Sequence, residues 1–311
     1  MSSFPLAHVS WAIADNADRP ACDRFFIETF GAETAFEMQV TPETAHMGFD
    51  REERLMLIGD TMLIPIAPAG AGAAPDSPIG GMLRRSAGEG RWLGVALRVA
   101  DLGAADRWFR ARGFDLHYDP GMESHYFLIS RRQALGMRIE VMCGELPGDL
   151  RLRADWDAGV WTRGHALGIE GLQAIGLSVP DLASARMLFG ERLGLAPLGE
   201  RVLAGECADC AAFWLGDTAI EALAPRDPAS RLAAHLREVQ GIYSLTFKVR
   251  SASAAAGWLR ARGHALIGDP QDRFAIVPQE AQGRLIWFTQ NAVDGYPAPG
   301  SAIRRPAELP G

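Results

Sequence analysis

The sequence has little cysteine: four in 311 residues, Cys22, Cys143, Cys207 and Cys210. They are too few and too scattered for a disulfide framework, so the expected setting is a reducing cytoplasm. Excess positive charge is missing too. The formal net charge of -7 argues against a nucleic-acid partner, whose phosphates need a basic face. No apolar run is long enough to span a bilayer, so no membrane partner is expected. The opening residues, MSSFPLAHVSWAIADNAD, hold no basic segment followed by a long apolar stretch, and no signal peptide is read there. What is present is ordinary for a globular chain, with 48% hydrophobic and 22% charged residues. The length exceeds what one core usually serves, which makes two domains the natural expectation.

The strongest positive signal is self-similarity. DLGAADRWFRARGFDLHYDP (101–120) and SASAAAGWLRARGHALIGDP (251–270) share Trp108 with Trp258, Arg110-Ala111-Arg112-Gly113 with Arg260-Ala261-Arg262-Gly263, and Asp119-Pro120 with Asp269-Pro270. GVALRVADL (94–102) and SLTFKVRSA (244–252) precede them as strand-like runs leading into a helix. Upstream, GDTMLIPIAP (59–68) resembles GDTAIEALAP (216–225), and HVSWAIADN (8–16) resembles AIGLSVPDL (174–182). Helical stretches follow, each stopped by a glycine.

Four modules result, at about 5–68, 91–145, 169–226 and 239–293, each read as strand, helix, then two or three strands. The expected class is α+β: four βαβββ modules paired into two half-open, cup-like β-barrels, since a strongly curved sheet with side chains alternating in and out makes a cup. The expected N-terminal domain is 1–148, the linker 149–168, the C-terminal domain 169–293 and a Pro-rich tail 294–311. The Gly/Pro/Ala stretch 69–81 reads as a loop. Trp156 and Trp161 suggest that the linker packs against a domain rather than swinging freely.

This pattern resembles the vicinal oxygen chelate superfamily of glyoxalases, bleomycin-resistance proteins and extradiol dioxygenases, over nearly the whole chain. That family repeats a strand start of the form His-x-x-x-x-Val-x-Asp, a helix, a glycine after "LG" or "RG", and a last strand carrying Glu. HVSWAIADN, LGVALRVADL, AIGLSVPDL, RWFRARGF, GWLRARGH, GDTAIEALAP and GMRIEVMCG carry the likeness. The resemblance implies a divalent metal (Fe, Mn, Zn or Ni) inside a cup, held by first-strand and last-strand residues of two paired modules. In the first half those positions are His8, Ile64, Gly94 and Glu140. In the second they are Ala174, Glu221, Ser244 and Ile286. Two potential ligands remain in the first cup and one in the second, so the second cup is expected to be metal-free.

A third donor is sought in the hairpin SHYFLIS (124–130), RRQALG (131–136), MRIEVMC (137–143). If Ser130 pairs with Met137, Phe127 opposes Glu140, and His125 shares its face as a diagonal neighbour about 5–8 Å away. The expected site is therefore His8, His125 and Glu140, as catalytic and metal-binding residues. Tyr126 is then placed on the opposite side. A register error of one residue removes the triad.

Other signals point to structure. Cys207-Ala-Asp-Cys210 has no second pair for zinc. The Gly-rich 69–81 stretch carries no phosphate-loop signature. Arg84-Arg85 and Arg131-Arg132 read as solvated pairs, His46 and His117 as surface or structural histidines, and Trp108 and Trp258 as core.

The expected function is an enzyme acting on a small oxygen-bearing organic substrate, aromatic acids included, by metal-assisted lyase, isomerase or dioxygenase chemistry in the first cup. The alternative is a metal-free binding protein that sequesters a small molecule, in the manner of bleomycin-resistance proteins. A regulatory role has no specific feature behind it. A monomer and a homodimer are both compatible, because four modules allow cup pairing within one chain.

Overall fold

The computed structural model describes residues 4–41, 51–69, 92–119, 121–298 and 306–309. His46, Arg84, Arg85 and most of the 69–81 stretch lie outside the described residues. In the first half the strands are β1 (Leu6–Ala12), β2 (Glu33–Met38), β3 (Arg51–Ile58), β4 (Thr61–Pro68), β5 (Trp92–Val99), β6 (Leu116–His117), β7 (Tyr126–Ile129) and β8 (Arg138–Cys143). In the second they are β9 (Ile169–Ser178), β10 (Ala196–Leu203), β11 (Ala208–Trp214), β12 (Ala219–Pro225), β13 (Gly241–Val249), β14 (Leu266–Gly268), β15 (Arg273–Ile276) and β16 (Leu285–Thr289).

Each half is one eight-stranded sheet. The orders are β2-β3-β4-β1-β5-β8-β7-β6 and β10-β11-β12-β9-β13-β16-β15-β14. Both are open, cup-like sheets, as the fourfold repeat implied, and the fold is α+β. The two modules of a sheet meet at their first strands, antiparallel, with Val9 opposite Val95 and Ile175 opposite Leu245. Each first strand also runs parallel to its own module's last strand, Val9 beside Leu63 and Val95 beside Ile139.

Alternation along the strands sorts side chains onto two faces. Trp11 faces the helix Arg19–Phe30 and lies 5.0 Å from Phe26. Phe127 packs 5.6 Å from Phe109 of the helix Leu102–Ala111. His8 and Ser10 therefore point to the other, concave face.

The helix Arg19–Phe30 belongs to the first half but also packs behind the second sheet. Phe30 lies 5.6 Å from Phe288 and 6.3 Å from Phe247. Aromatic residues of both halves thus share one buried core.

The repeated Trp-x-x-x-Arg-Gly has a local cause. In the helices Leu102–Ala111 and Ala252–Ala261, Arg112 and Arg262 each stack over the tryptophan one turn back, 3.7 Å from its ring centre. A cation on an aromatic face one helical turn away is favourable. Gly113 and Gly263 follow with φ of 76° and 86°, which glycine adopts without steric cost.

The repeated Gly-Asp-Thr turns meet between the halves, where Asp60, Thr61, Asp217 and Thr218 line a crevice. Asp217 accepts the Leu6 backbone N–H. Burial, opposed by that hydrogen bond and by Arg151, pushes the Asp217 carboxyl up to about 6.

The connecting segment is packed, as Trp156 and Trp161 suggested. Trp161 donates to the Gly31 carbonyl and Trp156 to Asp60. Arg151 is buried against Asp149 and the carbonyls of Ala7 and Asp60. Near the C-terminus, Ala307 bridges to Val99 of the first sheet.

Candidate functional site

The first cup is read along one row of paired residues. His8 opposes Ala96, Ala96 lies beside Glu140, Glu140 opposes Leu128, and Leu128 opposes His117. His8 and Glu140 thus lean toward each other over an alanine, from strands separated by one strand width on either side. His8 Nε2 lies 3.8 Å from Glu140 Oε1, beyond hydrogen-bond length and within ion-pair reach. His8 is 6% exposed, and its Nδ1 makes no hydrogen bond among the described residues.

The hairpin that was expected to supply a third donor is registered one residue differently. Tyr126 opposes Met142 and Leu128 opposes Glu140. His125 consequently sits before β7, exposed, with Nδ1 3.0 Å from the neighbouring Ser124 hydroxyl. It is not part of the His8–Glu140 face, and the His8, His125, Glu140 triad is corrected. The cause is the turn. A 3-10 turn at Arg131–Gln133 is followed by Leu135 with φ of 51° and Gly136 with φ of 84°. That geometry puts one more residue into the connection than a hairpin closed at Ser130 and Met137 allows.

Tyr126 takes the place on the Glu140 face instead. Its hydroxyl donates to Asp119 at 2.7 Å. Burial, followed by that carboxylate, holds the phenol well above its ordinary range. The signal that could have found this lies in the sequence: RRQALG (131–136) has a counterpart in PQEAQG (278–283), where the same turn recurs with Gln282 at φ 56°.

At the two empty ligand positions the structure gives reasons. A Cβ on Gly94 would come 2.0 Å from the Arg138 carbonyl oxygen, so no histidine fits there while β5 and β8 pair this closely. Ile64 pairs beside Ser10 and is buried. Among the described residues no three His, Cys, Asp or Glu side chains come together as metal donors. Two donors do not make a stable site, so the described side chains do not fit the metal that the resemblance implied.

The second cup is built differently. Glu221 pairs beside Gly176, which opposes Ser244. Its carboxylate binds the Arg201 guanidinium and accepts the Tyr296 hydroxyl at 2.8 Å, while Arg201 also donates to that hydroxyl at 2.7 Å. Burial, then the Glu221 charge, drives the Tyr296 phenol far up. The fourth position also needs correction. Leu245 pairs with Ile286 as Val95 pairs with Ile139, so Glu140 corresponds to Trp287, and Ile286 faces the helices. Trp287 fills the cup with Arg273 4.4 Å over its ring. Cys207 is exposed and Cys210 buried, both as free thiols, and burial pushes Cys210 up to about 12.

Residues 173–278 match the family model described as the Glyoxalase/Bleomycin resistance protein/Dioxygenase superfamily. A variant of 4-hydroxymandelate synthase from Streptomyces coelicolor aligns over 97% of this chain and 98% of its own, with a TM-score of 0.67 and 14% identity. The family match thus falls within the second half, and the whole chain has the fold of that synthase. Methylmalonyl-CoA epimerase from Mycobacterium tuberculosis is 26% identical over 42% of this chain and 93% of its own, with a TM-score of 0.39. No curated protein matches this chain. No helix among its described residues is long and apolar enough to cross a membrane.

Proposed function

We propose that the chain is an enzyme acting on a small oxygen-bearing organic molecule, with His8 and Glu140 of the first cup as its proton-transfer pair. One observation carries this reading: the 3.8 Å approach of His8 Nε2 to Glu140 Oε1 on the concave face. A carboxylate there can take a proton from a carbon next to a carbonyl. The imidazole Nε2–H can then protonate or hydrogen-bond the oxygen where charge develops. Burial of His8 excludes water from its side of the pair. Because two donors do not hold a metal well, no step passes through one.

The test needs no prior substrate. The protein is incubated in D2O with small 2-oxo and 2-hydroxy acids and their esters, and carbon-bound deuterium is read by mass spectrometry. Exchange into at least one compound is expected, with losses of about 100-fold or more in Glu140→Gln and His8→Ala, the scale of a missing general acid or base. Exchange that persists in both variants would overturn the assignment. Tight binding with no exchange would favour the sequestering alternative.

A further inference from the structure

We propose that Arg138 binds the carboxylate of a small organic acid and so sets the substrate class of the first cup. This rests on the reading of that cup as the reaction site. Arg138 stands two residues before Glu140 on β8, on the same face and about 7 Å along the strand. It lines a cavity of about 280 Å³ together with Leu116, His117, Leu128, Ser130 and Arg132. Leu128 and His117 continue the row that holds Glu140 and His8. The cavity therefore runs from the arginine to the end of the catalytic row.

Arg138 is half-buried, yet its guanidinium makes no hydrogen bond or ion pair with any described residue. The acids whose charge reaches it make no ion pair with it: Asp119 accepts the Tyr126 hydroxyl, and Glu140 faces His8 at 3.8 Å. A half-buried guanidinium with no protein partner is free to take one from a ligand. Its planar fork matches a carboxylate in two parallel hydrogen bonds. Arg132 is exposed at the cavity's rim and adds attraction for an anion, while Leu116 and Leu128 offer an apolar wall to its body. An acid held by Arg138 would present the atoms next to its carboxylate toward Glu140 and His8.

The probes are benzoate, its neutral counterpart benzamide, and phenyl phosphate, with affinities measured by calorimetry on the full chain. Benzoate is expected to bind, benzamide at least tenfold more weakly, and Arg138→Met to weaken benzoate at least tenfold. Arg138→Lys should recover part of the loss, which separates charge recognition from misfolding. Glu140→Gln should bind benzoate as well or better. Equal binding of benzoate and benzamide, unchanged benzoate binding by Arg138→Met, or no benzoate binding would overturn the proposal. Tighter phenyl phosphate binding would overturn its carboxylate assignment. Deuterium exchange lost in Glu140→Gln without benzoate binding sinks only the anion site. Arginine-dependent benzoate binding with no exchange sinks only the proton-transfer reading.

Discussion

The two cups share a strand order and differ in how their polar groups are used. In the second, Glu221 is closed off by Arg201 and Tyr296, and Trp287 fills the place where the first cup has Glu140. In the first, His8 Nδ1 is buried with no partner among the described residues, the half-buried Arg138 guanidinium makes no hydrogen bond or ion pair with them, and Glu140 faces an imidazole at 3.8 Å. The same architecture can thus spend its concave face on holding itself together or keep it open for a ligand. Satisfied buried polar groups stabilise, while unsatisfied ones cost stability and mark places where something binds.

That contrast can be broken by mutation. Trp287→Ala should cost about 3–5 kcal/mol, the usual loss for a large buried aromatic, measured by urea unfolding. Glu221→Ala leaves Arg201 and Tyr296 without their acid and should cost about 2–3 kcal/mol, less than for a fully buried pair because Arg201 is partly exposed. Glu140→Gln, by contrast, should change stability by less than about 1 kcal/mol, as for a group with no satisfied partner to lose. A Glu140 variant as destabilised as the Glu221 variant would erase the distinction between the cups.

A fourth measurement concerns the crevice between the halves. The Asp217 carboxyl is raised to about 6 in the folded protein from an ordinary 3.8. The folded state therefore binds more protons than the unfolded one between those values. Stability contributed by this group is present at pH 4 and is lost as pH rises to about 6. Asp217→Asn should flatten that slope in thermal melts taken across the range, and an unaltered slope would show that another group is responsible. The smallest effect concerns metal. Ile64→Glu would add a donor at the ligand position beside Ser10, across β1 from Gly94, and zinc binding by calorimetry should rise above that of the parent protein.

Much of the architecture was legible because repeats are visible without knowing any contact. The Trp108 and Trp258 copies, with their arginines and glycines, fix two helices and their ends by local physics alone. The approach of His8 to Glu140 followed from strand position, since both lie on the concave side of strands flanking one first strand. Register was harder. Side chains alternate with a period of two, so one additional residue in the turn after Ile129 exchanged His125 for Tyr126. The same parity error put Ile286 where Trp287 stands. Arg138 was not seen at all, because a lone arginine in a strand gives no sequence sign of whether an acid waits for it. The closure of Glu221 was equally hidden, since Tyr296 arrives from beyond the last strand.

Phe30 gives the molecule a property that neither cup reveals. Its ring belongs to the opening helix yet rests against Phe247 and Phe288, so neither sheet owns its own backing. Splitting the gene between the halves would leave each fragment with an oily face seeking cover, and the pieces would aggregate or need each other to become soluble. Calorimetry on the intact chain should accordingly record a single melting event, and substitutions behind one cup should be felt by the other.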